Sequence, residues 1–136
     1  MNIRQESHLE LAEVLPLYEA VGWTNYSRNP AMLEQAFKQT LFVLTARDQG
    51  KLVGLLRAVG DGASILFIQD IIVLPDYQRQ GIGRRLMQET LEHFSHVYQI
   101  HLLTDQTQKT PEFYTSVGFS DVETIRCRAF TLVEKK

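Results

Sequence analysis

Residues 68–85 read IQDIIVLPDYQRQGIGRR, and the parsing of this stretch decides the architecture. The apolar run Ile71-Ile72-Val73-Leu74 stops at Pro75, which is the pattern of a buried strand bounded by a turn residue. A short polar loop follows, ending in Gln78-Arg79-Gln80-Gly81-Ile82-Gly83. From Gly81 onward Ile82, Leu86, Leu91 and Phe94 fall on one helical face, so a helix is expected over 81–95. A strand that runs through a glycine-bearing loop into a helix has the physics of a polyphosphate cradle. Gly81 and Gly83 carry no Cβ to hold a ligand away from the backbone. The first amides of the helix point outward and, with the helix dipole, attract an anion. Arg79, Arg84 and Arg85 add positive charge around that mouth. The alternative is a plain tight turn. Other phosphate loops are excluded by spacing: a dinucleotide fingerprint needs glycine where Leu86 stands, and no Gly-Lys-Ser/Thr end is present for a Walker loop.

Working outward, the chain before this stretch reads as an opening strand, two helices and a meander. Ser7 and Glu10 have capping-box spacing, and Leu11, Ala12, Leu15 and Tyr18 recur at helical intervals, which predicts a helix over 8–21 closed by Gly22. Asn29 as N-cap with Pro30 behind it opens a second helix with Leu33, Ala36 and Phe37 inward. Strands are expected at 41–47, 51–59 and 64–74, joined by turns at Asp48-Gln49-Gly50 and Asp61-Gly62. Downstream lie a strand over 98–104, a short helix over 111–117 ended by Gly118, and two last strands over 119–123 and 127–133. The expected order is β-α-α-β-β-β-α-β-α-β-β in one domain spanning 1–136. The fold class is mixed α/β (α+β), with a mostly antiparallel sheet of six to seven strands and helices on both faces.

Composition narrows the partners. The chain has 136 residues with 14 Lys+Arg against 16 Asp+Glu, a formal charge of −2, which speaks against an electrostatic nucleic-acid binder. Hydrophobic residues make up 44% and charged residues 22%, as in ordinary globular proteins, so only Glu134, Lys135 and Lys136 are expected to stay unfolded. One cysteine, Cys127, forms no intrachain disulfide and points to a reducing compartment. The first ten residues lack the apolar run of a signal peptide, and no run of about 18 apolar residues suits a membrane span. A cytoplasmic protein with no membrane partner is expected.

The motif Gln78-x-x-Gly81-x-Gly83, behind a strand ending Val73-Leu74-Pro75, resembles the acetyl-CoA pyrophosphate loop of the GCN5-related N-acetyltransferases, and the order of elements resembles that family's along nearly the whole chain. The resemblance implies that the backbone of Arg79, Gln80, Gly81, Ile82, Gly83 and Arg84 holds the pyrophosphate of acetyl-CoA. It implies that Ile71, Ile72 and Val73 bind the pantetheine arm and acetyl carbonyl through main-chain groups. A second segment, Phe113-Tyr114-Thr115-Ser116-Val117-Gly118-Phe119, resembles the family's last helix. Tyr114 stands where many members protonate the departing thiolate; the alternative is an aromatic packed beneath the cofactor. The Asn often found upstream is absent, leaving Asp105, Gln106 or Thr107 as stand-ins. Residues 55–59 and 68–73 resemble the arylalkylamine and serotonin acetyltransferase branch. The same strand resembles glucosamine-6-phosphate acetyltransferases, which carry an acidic pair where Gln69-Asp70 stands here.

The implied activity is acetyl transfer from acetyl-CoA, as co-substrate, to the primary amine of a small molecule in a ternary complex, without a metal. Aminosugar-phosphate or protein N-acetylation is an alternative acceptor class. A non-catalytic acyl-CoA sensor is the alternative from another class. An ammonium must lose a proton before it attacks, and Asp70, an acid in an apolar strand, is the candidate base; otherwise it is a structural carboxylate bonded to backbone or to Arg57. Trp23 and Tyr26 fall where the family builds its acceptor site and suit a cation by π contact, with Gln69 able to orient it; Trp23 alternatively caps the core. His93 and His96 are spaced as a metal pair without further ligands, and His101 reads as a sheet residue. Nothing near Cys127 would activate its thiol. The resemblance also implies pairing of last strands between two chains, hence a homodimer.

Overall fold

The computed structural model describes residues 1–107 and 109–132, which form two compact units, the first ending at Leu103 and the second starting at Thr104. Residue 133, the end of the last expected strand, and residues 134–136, expected to stay unfolded, lie outside the described residues.

The first unit is a sheet in the order β1 (Asn2–Gln5), β2 (Phe42–Asp48), β3 (Lys51–Gly60), β4 (Ile65–Val73) and β5 (Gln99–His101). The first three pairings are antiparallel and β4 with β5 is parallel. Nearly every residue of β2 and β3 is buried, so both of their faces are covered. On one face Val43, Leu52, Leu55 and Ile72 meet Val14, Leu17 and Tyr18 of α1 (Leu11–Ala20) and Leu33 of α3 (Pro30–Lys38). Between those helices lies the short α2 (Thr24–Ser27). The opposite face belongs to α4 (Ile82–His93), which buries Ile82, Leu86, Met87 and Thr90. Gly54 shows how closely α4 approaches: a Cβ there would stand 3.4 Å from Ile82 Cγ2, 3.3 Å from Ala46 Cβ and 3.3 Å from the Ile72 carbonyl oxygen.

Local chemistry accounts for the helix ends. Asn29 Oδ1 accepts from the Met32 amide at 3.4 Å with Pro30 in the first helical position, as the sequence predicts. α1 begins three residues later than expected: its N-cap is Glu10, with no side-chain cap, so Ser7 and Glu10 do not form a capping box. The chain is held extended there because the Glu6 amide donates to Val43 O at 3.1 Å and the Glu6 carboxylate is bound by Arg47 and Thr45. Pro16 deletes one helical hydrogen bond from α1, and burial of Val14, Leu17 and Tyr18 around it holds the helix nonetheless.

Five strands replace the six to seven expected. In the second unit α5 (Lys109–Ser116) forms, but neither 119–123 nor 127–132 is a strand. Asp121 Oδ1 caps a 3-10 turn, Val122–Ile125, by accepting from the Glu123 amide at 2.9 Å, and Arg126 leaves it at φ 60°. Beyond it Phe130 and Leu132 are 88% and 100% exposed, so the residues that read as strand-forming have no apolar layer to pack on.

Candidate active site

β4 is the element on which the site is built. Its register with β3 slips between Arg57 and Ala58: Arg57 faces Asp70 and Ala58 faces Ile68, so Gln69 is an extra, bulged residue. Bulges of this kind re-aim side chains and often lie beside functional sites. On its other edge β4 meets β5 only at Ile65, Leu66 and Phe67. Residues 69–73 therefore have an edge with no strand partner among the described residues. The Leu74 amide donates to Val53 O at 2.9 Å, toward β3. Alternation then turns the peptide groups of Asp70 and Ile72 toward β3 and those of Ile71 and Val73 toward the open edge. The Val73 carbonyl is taken by Gln78 Nε2 at 2.9 Å. Of the three residues expected to hold a thioester arm, Ile71 and Val73 present main chain to the open edge, while Ile72 spends its backbone on the ladder and its side chain on the core.

The strand runs directly into the loop and α4. A 3-10 turn, Pro75–Tyr77, is pinned because Tyr77 Oη donates to Asp48 Oδ2 at 2.8 Å, a bond that raises the phenol's pKa. Arg79 then sits at φ 63° and Gly81 at φ 83°. Open space surrounds a Cβ built on Gly81, so glycine is needed there for the left-handed backbone rather than for room. Gly81 is the N-cap of α4, and its carbonyl accepts from the Arg85 amide at 3.0 Å. The amides of the first turn have no acceptor within the helix and project beyond it. Arg79, Arg84 and Arg85 are exposed beside them. Arg79, Gln80, Gly81, Ile82, Gly83 and Arg84 are thus contiguous at an anion-attracting helix start.

Asp70 is 2% exposed and its Oδ2 accepts two bonds, from Tyr18 Oη at 2.6 Å and from Arg57 Nε at 2.7 Å. Arg57 is itself 5% exposed; Thr40 Oγ1 accepts from its Nη1 at 3.1 Å, and the Phe37 ring lies 5.5 Å below the guanidinium. Burial, reinforced by the Asp70 charge, pushes the Tyr18 phenol far above its usual range, so it acts only as a donor. Gln69 Nε2 donates to Tyr26 Oη at 3.1 Å. Tyr18, Trp23 and Tyr26 form an aromatic cluster, with ring centres 5.1 Å (Tyr18–Tyr26) and 6.5 Å (Trp23–Tyr26) apart. Trp23 and Tyr26 are half-buried and pack against the core while bordering Gln69. The sequence singled out Asp70, Gln69, Trp23 and Tyr26, and Arg57 as a partner for Asp70; it missed Tyr18, and it named Gln78 as part of the loop motif without its bond to Val73. Tyr18 carries one signal, a hydroxyl within an otherwise apolar helix stripe.

In the second unit, Tyr114 lies on α5 with its ring 5.2 Å from Phe113 and 6.0 Å from Phe119. Burial, then the Asp105 charge, raises its phenol pKa, so the hydroxyl stays protonated through neutral pH. Asp105 Oδ1 is turned into its own loop, accepting from the Thr107 amide at 3.1 Å and hydroxyl at 2.7 Å. His93 packs on Phe42 and Phe94, and His96 Nε2 lies 3.1 Å from Gly62 O. No group of three His, Cys, Asp or Glu among the described residues could hold a metal. A cleft of about 600 Å³ lies apart from these residues, floored by Leu11, Val14, Phe37 and Val43, and none of the candidate site residues lines it. No helix among the described residues is long and apolar enough to cross a membrane.

A strand with an open edge feeding a left-handed glycine and an anion-attracting helix defines a class of cradle for a phosphate-bearing arm. Residues 14–132 match the acetyltransferase (GNAT) domain model, and the chain belongs to that family. It is similar over 99% of its length to a GNAT-family acetyltransferase structure from Streptococcus pneumoniae TIGR4, at 45% identity and a TM-score of 0.89, covering 98% of that chain. GCN5-related N-acetyltransferase 1, chloroplastic, from Arabidopsis thaliana is 27% identical over 93% of this chain and 65% of its own length. Aminoglycoside N-acetyltransferase AAC(6')-Iy in complex with CoA shares the fold at 16% identity, with a TM-score of 0.73 over 99% of this chain and 94% of that one. The chain spans 55–68% of the length of the curated relatives that it matches over more than four fifths of its own.

Proposed function

We propose that this protein is an acetyl-CoA-dependent N-acetyltransferase that acylates the primary amine of a small molecule by direct transfer in a ternary complex. The observation that carries this reading is the edge of β4 at Ile71 and Val73, which has no strand partner among the described residues and is continuous with the helix start at Gly81. An extended pantetheine arm adds to such an edge as a strand does, through main-chain bonds. The amides from Arg79 to Arg84 take the pyrophosphate. Ile72 supports the strand from the core. Trp23, Tyr26 and Gln69 receive the acceptor; two aromatic faces and a neutral amide suit an arylalkylamine.

The chemistry is one displacement. Asp70 takes a proton from the ammonium, directly or through water, leaving the lone pair on nitrogen. That pair attacks the thioester carbonyl carbon, a C–N bond forms and the C–S bond breaks. The thiolate takes the proton of the Tyr114 hydroxyl, and the second proton that the nitrogen loses on becoming an amide returns, through water, to the Tyr114 oxygen.

The test is thiol release from acetyl-CoA against arylalkylamines, polyamines, aminosugar phosphates and short peptides, with two variants alongside. Turnover is expected with arylalkylamines. Tyr114→Phe should lower kcat more than about tenfold while leaving acetyl-CoA affinity unchanged. Gly83→Val should abolish acetyl-CoA binding in a folded protein. Binding without turnover of any amine would make the protein a sensor, and turnover confined to peptides or aminosugar phosphates would replace the acceptor class.

A further inference from the structure

The two oxygens of Asp70 are treated differently. Oδ2 takes both available donors, Tyr18 Oη and Arg57 Nε. Oδ1 accepts no hydrogen bond among the described residues, although the residue is 98% buried by side-chain measure. Leaving half of a carboxylate unsatisfied costs free energy in a fold that needs only a neutral buried pair. Oδ1 is also not among the unpartnered side-chain atoms sealed from solvent among the described residues.

The groups around the carboxylate explain how this asymmetry is held. From β3 comes Arg57, whose guanidinium rests on Phe37 of α3 and donates to Thr40. From α1 comes Tyr18, wedged against Tyr26 and Phe37. From α2 comes Tyr26, whose hydroxyl accepts from Gln69, the residue next to Asp70 in the chain. Arg57 keeps its charge at every accessible pH, and the Tyr18 hydroxyl has no other acceptor among the described residues. Neither donor can turn to Oδ1 without leaving a packed position.

We propose that Tyr18 and Arg57 are positioning residues which commit Oδ2 of Asp70 to the protein and so present Oδ1 as the atom that accepts the acceptor's proton. The step is a proton transfer: the ammonium N–H bond breaks, an O–H bond forms at Oδ1 and the lone pair stays on nitrogen. The inference rests on the acetyltransferase reading with Asp70 as base.

The experiment is thiol release with 2-phenylethylamine and acetyl-CoA, with melting temperature and acetyl-CoA affinity measured on each variant. Asp70→Asn should lose about 100-fold in kcat, within the usual share of general base catalysis. Tyr18→Phe should lose about tenfold in kcat while keeping its KM for acetyl-CoA and for the amine. Arg57→Lys, which keeps the charge but not the planar fork, should retain more kcat than Arg57→Met. A purely structural pair would lower the melting temperature in Tyr18→Phe while leaving kcat in place, and that result overturns the inference; should Tyr18→Phe not fold, equal kcat in the two Arg57 variants does so. Full activity in Asp70→Asn removes the base itself and the inference with it. No turnover by the wild-type chain with any amine removes the acetyltransferase reading, and this inference falls with that too.

Discussion

Arg47 is a buried cation one residue from the end of β2, and its partners show how polar residues earn a place inside this sheet. Its Nε donates to Glu6 Oε2 at 2.8 Å, its Nη2 to Glu6 Oε1 at 3.1 Å, and its Nη1 to Glu13 Oε2 at 2.6 Å and to the Gly50 carbonyl at 2.9 Å. These bonds, opposed by burial and helped by Thr45, hold the Glu6 carboxyl at about 2 instead of 4.5. A depressed pKa in the folded state contributes stability above the unfolded value, lost as pH falls through the folded one. The wild-type protein should therefore lose stability from pH 4.5 down to about 2, by about 3 kcal/mol at most from Glu6. Glu6→Gln should be less stable at pH 7 and show a flatter acid limb in thermal melts; parallel limbs would refute the assignment. Such pairs are hidden from a reading of sequence because the partners stand 41 and 34 residues apart. The same holds for Tyr18, 52 residues from Asp70. Asp70 itself stood out as an acid among apolar neighbours, and its two donors needed the fold.

Among the elements, α4 was legible from its own residues: Gly81 starts it and its apolar face is regular. The open edge of β4 was not, because it is set by the shortness of β5, which ends at His101 where the sequence suggests a strand to 104. The close passage of α4 over the sheet was equally silent, since Gly54 reads as an incidental glycine in a strand. Gly54→Val should cost about 1–3 kcal/mol by overpacking. The side chain it displaces is Ile82, the first residue of α4, so acetyl-CoA affinity should fall together with melting temperature. Calorimetric titration checks this, and unchanged affinity in the destabilised variant would separate the start of α4 from the cradle.

Across the described residues, β2, β3 and β4 share the longest strand pairings, and Val53, Leu55, Leu56 and Leu66 in them are fully buried. Amide hydrogen exchange should be slowest there and fastest over 122–132, where the described residues are exposed. Protection of 127–132 equal to that of β3 would mean that this segment forms, in solution, the strand its alternating pattern suggests. That pattern misled because alternation describes a residue's fitness for a sheet surface, while a strand also needs a sheet edge and a layer to cover it. Alternation misleads in a subtler way along β4. Leu66, Ile68, Asp70 and Ile72 are all buried, one unbroken period of two. Yet Ile68 stands opposite Ala58, whereas Asp70 stands opposite Arg57 and Ile72 opposite Leu55, so the extra residue at 69 switches the set from the α4 side of the sheet to the α1 side. Were the strand regular, with Gln69 opposite Arg57, Asp70 would share the face of Ile68 and turn its carboxylate beneath α4, away from Tyr18. The bulge is thus as much a specification of the site as the identity of any side chain in it, and a one-residue slip of pairing that absorbed it would disarm the site without altering one of its side chains.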